Sequence, residues 1–301
     1  MAGIKLLGQQ GLTLYDESLK EKIPRFSDID DFVTRAQIDS LFEDPIPSFG
    51  TATEQEFVDI INGYYDGTYS LNQIQSTWHV GDTRDIIFNG ANSGYNFPSH
   101  RQQTVTLQIL DFKHDNLTTS INGKTKALIT VDFKNCLRDA SVGDNSGYQN
   151  TENSFMESGQ SNTNGWGGCK MHGRLNSYSY MNFYDSSFPV YIKQLIKPVN
   201  KLTSIGGQNS NITISSDKLF LLSEVEVWDR HYYSPEGEGY IYSLYETESN
   251  RIKLPIGSWW LRSPDIDNST HFCCADNSYG SFSVSASPAN NTWGVAPAFC
   301  L

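Results

Sequence analysis

Trp259-Trp260-Leu261-Arg262-Ser263-Pro264 and, further on, Trp293-Gly294-Val295-Ala296-Pro297-Ala298-Phe299-Cys300-Leu301 are the two stretches on which the reading of this chain turns. The first is an apolar block carrying a single guanidinium. The second is apolar throughout, which predicts a strand tied into the core instead of a frayed end. Between them, residues 265–292 hold no Glu, Lys, Gln, Met or Trp and are largely Asp, Asn, Ser, Ala, Thr and Cys. The plain reading is a solvated Ser/Asn-rich loop. The sharper one is a display surface held between two rigid apolar strips. Short polar side chains give adaptable hydrogen bonding there, and His271, Phe272, Tyr279 and Phe282 serve as aromatic anchors, much as in antibody loops.

On the display reading, the candidate ligand-binding residues are Asp265, Asp267, Asn268, Thr270, His271, Asp276, Asn277, Tyr279, Ser281, Ser283, Asn290 and Asn291. Trp259, Trp260, Arg262, Pro264, Gly294 and Pro297 form the structural frame that holds them.

Upstream, the texture is that of an α+β chain with few helices and many short strands. Thr53 and Glu56 make a capping box, followed by Phe57, Ile60, Ile61 and Tyr64 at the spacing of one buried helical face, and Asp66-Gly67 closes it. Arg84–Asn89, Thr104–Phe112 and Lys126–Phe133 are strand-like runs, with an Asn122-Gly123 turn between the last two. Residues 139–166 read as a long surface loop and 168–184 as helical. Phe188–Val199 reads as a helix with Pro189 in its first turn, and Asn211–Ser215 and Lys218–Trp228 as strands. Residues 1–50 differ: an acidic stretch from Asp28 to Asp31, then a short helix over Thr34–Glu43 ended by Pro45 and Pro47. They suggest an attachment or oligomerisation arm, leaving 51–301 as the main domain.

The chain has 301 residues, 38% hydrophobic and 13% aromatic, which excludes collagen-like and wholly disordered classes. A net charge of −12 argues against binding a phosphate backbone, so nucleic acid is not an expected partner. No apolar run approaches the roughly 18–20 residues of a membrane-spanning helix, and the start lacks the pattern of a secretory signal. The five scattered cysteines, with no CxxC pair, read as free thiols of a reducing compartment.

Motifs for catalysis and cofactors are weak. There is no Walker loop, HExxH or GxSxG, and Gly237-Glu238-Gly239 is only a fragment of a glycine-rich loop. Cys169 and His172 have metal-ligand spacing but no second pair. Asp265, Asp267, Ser269 and Asp276 mimic a calcium loop, yet Thr270 stands where the sharp turn needs Gly, so a solvated loop is favoured. The sequons at Asn116, Asn211, Asn268 and Asn290 matter only in a eukaryotic secretory setting. No metal, cofactor or catalytic residue is expected.

Trp260–Pro264, a variable stretch and the closing Gly294–Phe299 resemble the C-terminal module of phage and Firmicutes proteins classed as a domain of unknown function. That module is similar to C-type-lectin-type domains of the formylglycine-generating-enzyme branch and to variable proteins of diversity-generating retroelements. Trp78–Arg84, Ile109–Asp115, Asp217–Glu224 and Arg251–Lys253 extend the resemblance upstream. Ala296 departs from it, standing where the family's closing motif has Arg. Cys273 and Cys274 do not reproduce the copper-binding cysteine pair, and no calcium-lectin Glu-Pro-Asn tripeptide occurs.

The resemblance implies a C-type-lectin-like domain over 51–301 and a non-enzymatic protein of the phage virion surface, made in the host bacterial cytoplasm. It would bind host or mucosal surface molecules, glycans or proteins, through its C-terminal loops. Residues 1–50 would meet other virion proteins in a homo-oligomer, a trimer by preference. The alternative is a capsid or tail decoration protein that stabilises the particle.

Overall fold

The computed structural model describes residues 5–6, 12–13, 46–89, 102–137, 161–176, 187–253, 258–276, 283–291 and 293–301. Contacts divide the chain into two units, Met1–Pro45 and Ile46–Leu301. In the first, strand β1 (Lys5–Leu6) pairs antiparallel with β2 (Leu12–Thr13). The acidic stretch at Asp28–Asp31 and the expected helix over Thr34–Glu43 lie outside the described residues.

In the second unit, Thr53 opens helix α1 (Glu54–Asp66), accepting a bond from the Glu56 amide while the Glu56 carboxylate accepts from the Thr53 amide. Gly67 closes it at φ 92°, a conformation that Gly alone adopts without strain. Phe57, Ile60, Ile61 and Tyr64 are buried as the spacing predicts, and burial of such side chains contributes roughly 1.5–3 kcal/mol each. Helix α2 (Leu71–Gln75) follows, capped in the same way by Ser70 and Gln73.

The strands β3 (Thr83–Phe88), β4 (Gln103–Phe112), β5 (Asn116–Ile121), β6 (Lys124–Lys126) and β7 (Ile129–Phe133) come next. The Asn122-Gly123 turn joins β5 to β6, a strand pair that the run Lys126–Phe133 had hidden. Both turn residues have positive φ, as a two-residue hairpin requires. Helix α4 (Lys170–Asn176) falls within the segment expected to be helical, whereas helix α3 (Gly165–Gly168) begins inside the expected surface loop; residues 177–184 of the expected helix lie outside the described residues.

Two expected elements are corrected. The helix over Phe188–Val199 shrinks to α5 (Val190–Lys193), because Pro198 cannot continue it, and Val199 instead begins β8 (Val199–Ser204). After β9 (Ile212–Asp217), the run Lys218–Trp228 is not a strand. Phe220 forms a single bridge, and Ser223 with Glu226 makes a capping box that opens α6 (Glu224–Trp228). Two 3-10 turns, Ser243–Glu246 and Glu248–Arg251, lead to β10 (Trp259–Pro264), β11 (His271–Asp276), β12 (Ser283–Pro288) and β13 (Ala298–Cys300).

Among the described residues of this unit the strands form three antiparallel sheets, ordered β13-β7-β4-β3, β6-β5-β8-β9 and β10-β11-β12. The class is α+β. Residues 298–300 are tied into the core as the apolar run predicts. β13 pairs with β7, and the Leu301 carbonyl accepts from Leu128 N, Ile129 N and the Tyr65 hydroxyl. Residues 220–222 stitch the sheets together. Phe220 and Ala298 exchange two backbone bonds, and Arg262 N donates to the Leu222 carbonyl at 2.8 Å. β10, wholly buried, is thereby fixed against the core; β11, buried over 272–275, pairs with it, and β12 is the next strand of the sheet.

Candidate functional site

Arg262, at the centre of β10, is buried and uses its whole guanidinium. It grips the Glu226 carboxylate with both terminal nitrogens, at 2.5 and 2.9 Å, and donates to the carbonyls of Leu202, Leu221 and Glu238. Lys201 continues the chain of charge, 2.7 Å from Glu226 and 2.5 Å from Asp115. Tyr242 and Thr130 donate to the far oxygen of Asp115. Burial alone would raise the Glu226 and Asp115 carboxyls, but Arg262 and Lys201 hold Glu226, and Lys201 above all holds Asp115, below their ordinary values. Burial would likewise lower Lys201, and its two carboxylates raise it instead. Two cations thus balance two anions in the core. Glu238 lies beside them, and desolvation pushes its carboxyl up although Ser263, the Ser204 amide and Thr203 donate to it.

On this base, two buried side chains shape the surface. Asn162 is fully buried at the end of the segment expected to be a surface loop. Its amide nitrogen reaches the carbonyls of Asp265, Asn268 and His271 at 3.1, 2.9 and 2.7 Å, and its oxygen accepts from Gly207 N at 2.7 Å. Its backbone N–H donates to Ser269 O. The turn between β10 and β11 is therefore closed around one amide. Gly206 is required here, since a Cβ would overlap the Asn162 carbonyl and its φ is +67°.

Glu224 is the second such residue. Its carboxylate accepts from the backbone N–H groups of Tyr232, Tyr233 and Ser234, fixing the loop after α6 from beneath. Ile266 N donates to Tyr233 O at 2.7 Å, so this loop and the β10–β11 turn hold each other. An open cleft of about 530 Å³ lies along the same loop, lined by Trp228, Arg230, Tyr232, Tyr233, Glu248, Arg251, Ser283 and Val284. Tyr232 is 60% exposed, and its hydroxyl accepts from Arg230 at 3.0 Å.

The sequence candidates divide by position. Trp259, Trp260, Arg262, Pro264, Gly294 and Pro297 are all buried, and Trp260 N donates to Gly294 O. Ala296, where the resembled motif has Arg, is fully buried as well. Several polar candidates are engaged locally. Asp265 accepts from Asp267 N, Asn268 accepts from the amide and hydroxyl of Thr270, and Thr270 meets His271 Nδ1 at 2.9 Å. Asp276 accepts from Ser258. Asp267, Ser283, Asn290 and Asn291 are exposed, and of the described candidates Ser283 alone edges the cleft. Asn277, Tyr279 and Ser281 lie outside the described residues. Among the described residues no group of three or more His, Cys, Asp or Glu side chains could hold a metal ion. All five cysteines are buried free thiols, and burial pushes those of Cys273 and Cys274 up.

Sequence reasoning missed Asn162, Glu224 and the aromatic loop at 228–233. The Ser223…Glu226 capping box was legible and would have placed α6, and with it the loop. Nothing local marks Asn162, whose partners lie about a hundred residues away.

A family model, the domain of unknown function DUF6273, matches residues 134–301. The chain belongs to this family. The DUF6273 region holds the Asn162 clasp, the buried Arg262–Glu226 pair, the cleft and the three-stranded sheet, and takes β13 into the core sheet. No curated protein and no solved structure matches the chain.

Proposed function

We propose that the chain is a non-enzymatic recognition module of C-type-lectin-like type that binds surface saccharides or proteins of a host. The binding face comprises the β10–β11 turn, the 229–234 loop and the outer edge of β12. The observation that carries the reading is the open cleft, in which Tyr232 and Tyr233 sit on a loop held by Glu224, Arg230 lies just before them, and Trp228 and Arg251 complete the wall from α6 and the second 3-10 turn. Preorganised aromatic and arginine side chains are the commonest energetic anchors of recognition surfaces. The buried carboxylates, in contrast, are engaged in ion pairs or backbone bonds that support this face. The short antiparallel sheets and irregular connections agree with the lectin-like reading.

The sequence resemblance supplies the setting, a phage virion surface, with residues 1–50 as the attachment arm of a homo-oligomer, a trimer by preference. Several copies would turn weak single sites into avidity. Binding of the labelled full-length protein to a panel of whole bacteria tests the reading. Tyr232→Ala and a Gly/Ser replacement of Asp267–Thr270 are expected to lose binding with the fold intact. Unchanged binding by both variants would refute the assignment of the face.

A further inference from the structure

The cleft has an electrostatic bias that singles out a ligand class. Two guanidinium groups, Arg230 and Arg251, and one carboxylate, Glu248, line it, in a chain whose net charge is −12. Arg251 is mostly buried, and its Nε and Nη2 donate to the Tyr245 carbonyl at 3.2 and 2.8 Å. Its Nη1 stands 3.6 Å from Glu248, too far for a hydrogen bond, and the Glu248 side chain is 88% exposed. Arg230 is exposed and braced by one bond from its Nη1 to the Tyr232 hydroxyl. The Arg251 guanidinium also lies over the Trp228 ring, 5.7 Å from its centroid, and the two bonds to Tyr245 hold it there.

We infer that this cleft takes an acidic saccharide, with its carboxylate or sulfate held between Arg230 and Arg251 and its ring stacked on Tyr232. The inference rests on the recognition-module reading and narrows it to a ligand class. A planar guanidinium presents paired N–H donors that match the two oxygens of such an anion, and the bonds are charge-assisted. The chain as a whole carries a net charge of −12, which repels anions at long range, so an acidic ligand needs a local cluster of cations such as Arg230 and Arg251 supply. The aromatic faces offer apolar surface to the C–H side of a sugar ring while hydroxyl tips stay wet.

Calorimetric titration of the full chain with matched probes tests it: hyaluronan oligosaccharide against its methyl ester, and a sulfated galactan against its desulfated form. At least one acidic probe is expected to bind ten-fold or more tighter than its neutral partner. The pair that responds tells carboxylate from sulfate. Arg230→Gln, an exposed change that keeps the fold, is expected to lose about tenfold, and Arg251→Lys to keep the charge but lose the paired geometry. Raising the salt should weaken the acidic probe selectively. Equal binding of acidic and neutral forms, with Tyr232→Ala losing both, overturns the acidic class and leaves the recognition module standing. No binding of any probe, or an Arg230→Gln protein that binds acidic probes as well as wild type, overturns the inference outright.

Discussion

Replacing Asn162 by Ala separates a clasp from a bystander. The amide nitrogen serves three carbonyls and the amide oxygen one N–H, all in a fully buried setting. A net loss of about 1 kcal/mol per bond, with a penalty of about 1–3 kcal/mol for each buried group left without a partner, gives roughly 2–4 kcal/mol after partial relaxation. For a domain of this size that lowers Tm by roughly 5–15 °C, which differential scanning calorimetry resolves easily. The Asp variant sharpens the argument. Asn162→Asp keeps an acceptor for Gly207 N but turns a carboxylate oxygen toward the carbonyls of Asp265, Asn268 and His271. It is therefore expected to be less stable than Asn162→Ala despite being nearly isosteric with the native residue. Asn162→Asp as stable as wild type would refute the donor role of the amide, and with it the account of how the β10–β11 turn is held.

Arg262→Met is expected to unfold the protein or cost more than about 3 kcal/mol by chemical denaturation, since it strips the buried Glu226 of one of its two cations and leaves three carbonyls without their donor. A loss under 1 kcal/mol would show the pair to be dispensable. Glu238 has a raised folded pKa, so its contribution is full below the ordinary value of 4.5 and is lost as pH rises through the folded value. Asp115 and Glu226 have lowered values, so theirs is present above 3.8 and 4.5 and is lost as pH falls through the folded values. Tm should therefore fall as pH rises through the folded value of Glu238 and fall again as pH drops through those of Asp115 and Glu226, with the high-pH loss flattened in Glu238→Gln; an unchanged slope in that variant contradicts the assignment. The five thiols are buried, so a thiol reagent is expected to label none rapidly in the native state and all five in denaturant. Rapid native labelling of Cys273 or Cys274 would show that β11 is not held as described.

The elements readable from the chain were those encoded by neighbours. Thr53, Glu56 and the Phe57–Tyr64 stripe specify α1 within a few turns, and Trp259–Pro264 and Ala298–Cys300 read as core because they are apolar throughout. Reading failed where distant groups decide. Glu224 looks like a solvated carboxylate, yet three backbone N–H groups folded over it make burial tolerable. Asn162 sits in a run of Ser, Asn and Gly that resembles any surface loop, and only carbonyls more than a hundred residues along the chain make it a core residue. Periodicity misled at Phe188–Val199, where apolar spacing suited a helix but Pro198 and pairing with β9 made Val199 the start of a strand. Within 265–292 the composition marks the region, and the cleft takes Ser283 and Val284 from it, while its other walls come from 228–251, which the tyrosines alone did not identify.

A saccharide array probed with the full-length protein and with Tyr232→Ala, whose Tm is expected to be unchanged because the ring is 60% exposed, tests the recognition claim most directly. The account predicts that wild type binds a defined subset of saccharides and that the variant loses that subset. Tyr232→Ala binding the same saccharides as strongly as wild type, or a wild-type protein that binds none, would contradict it.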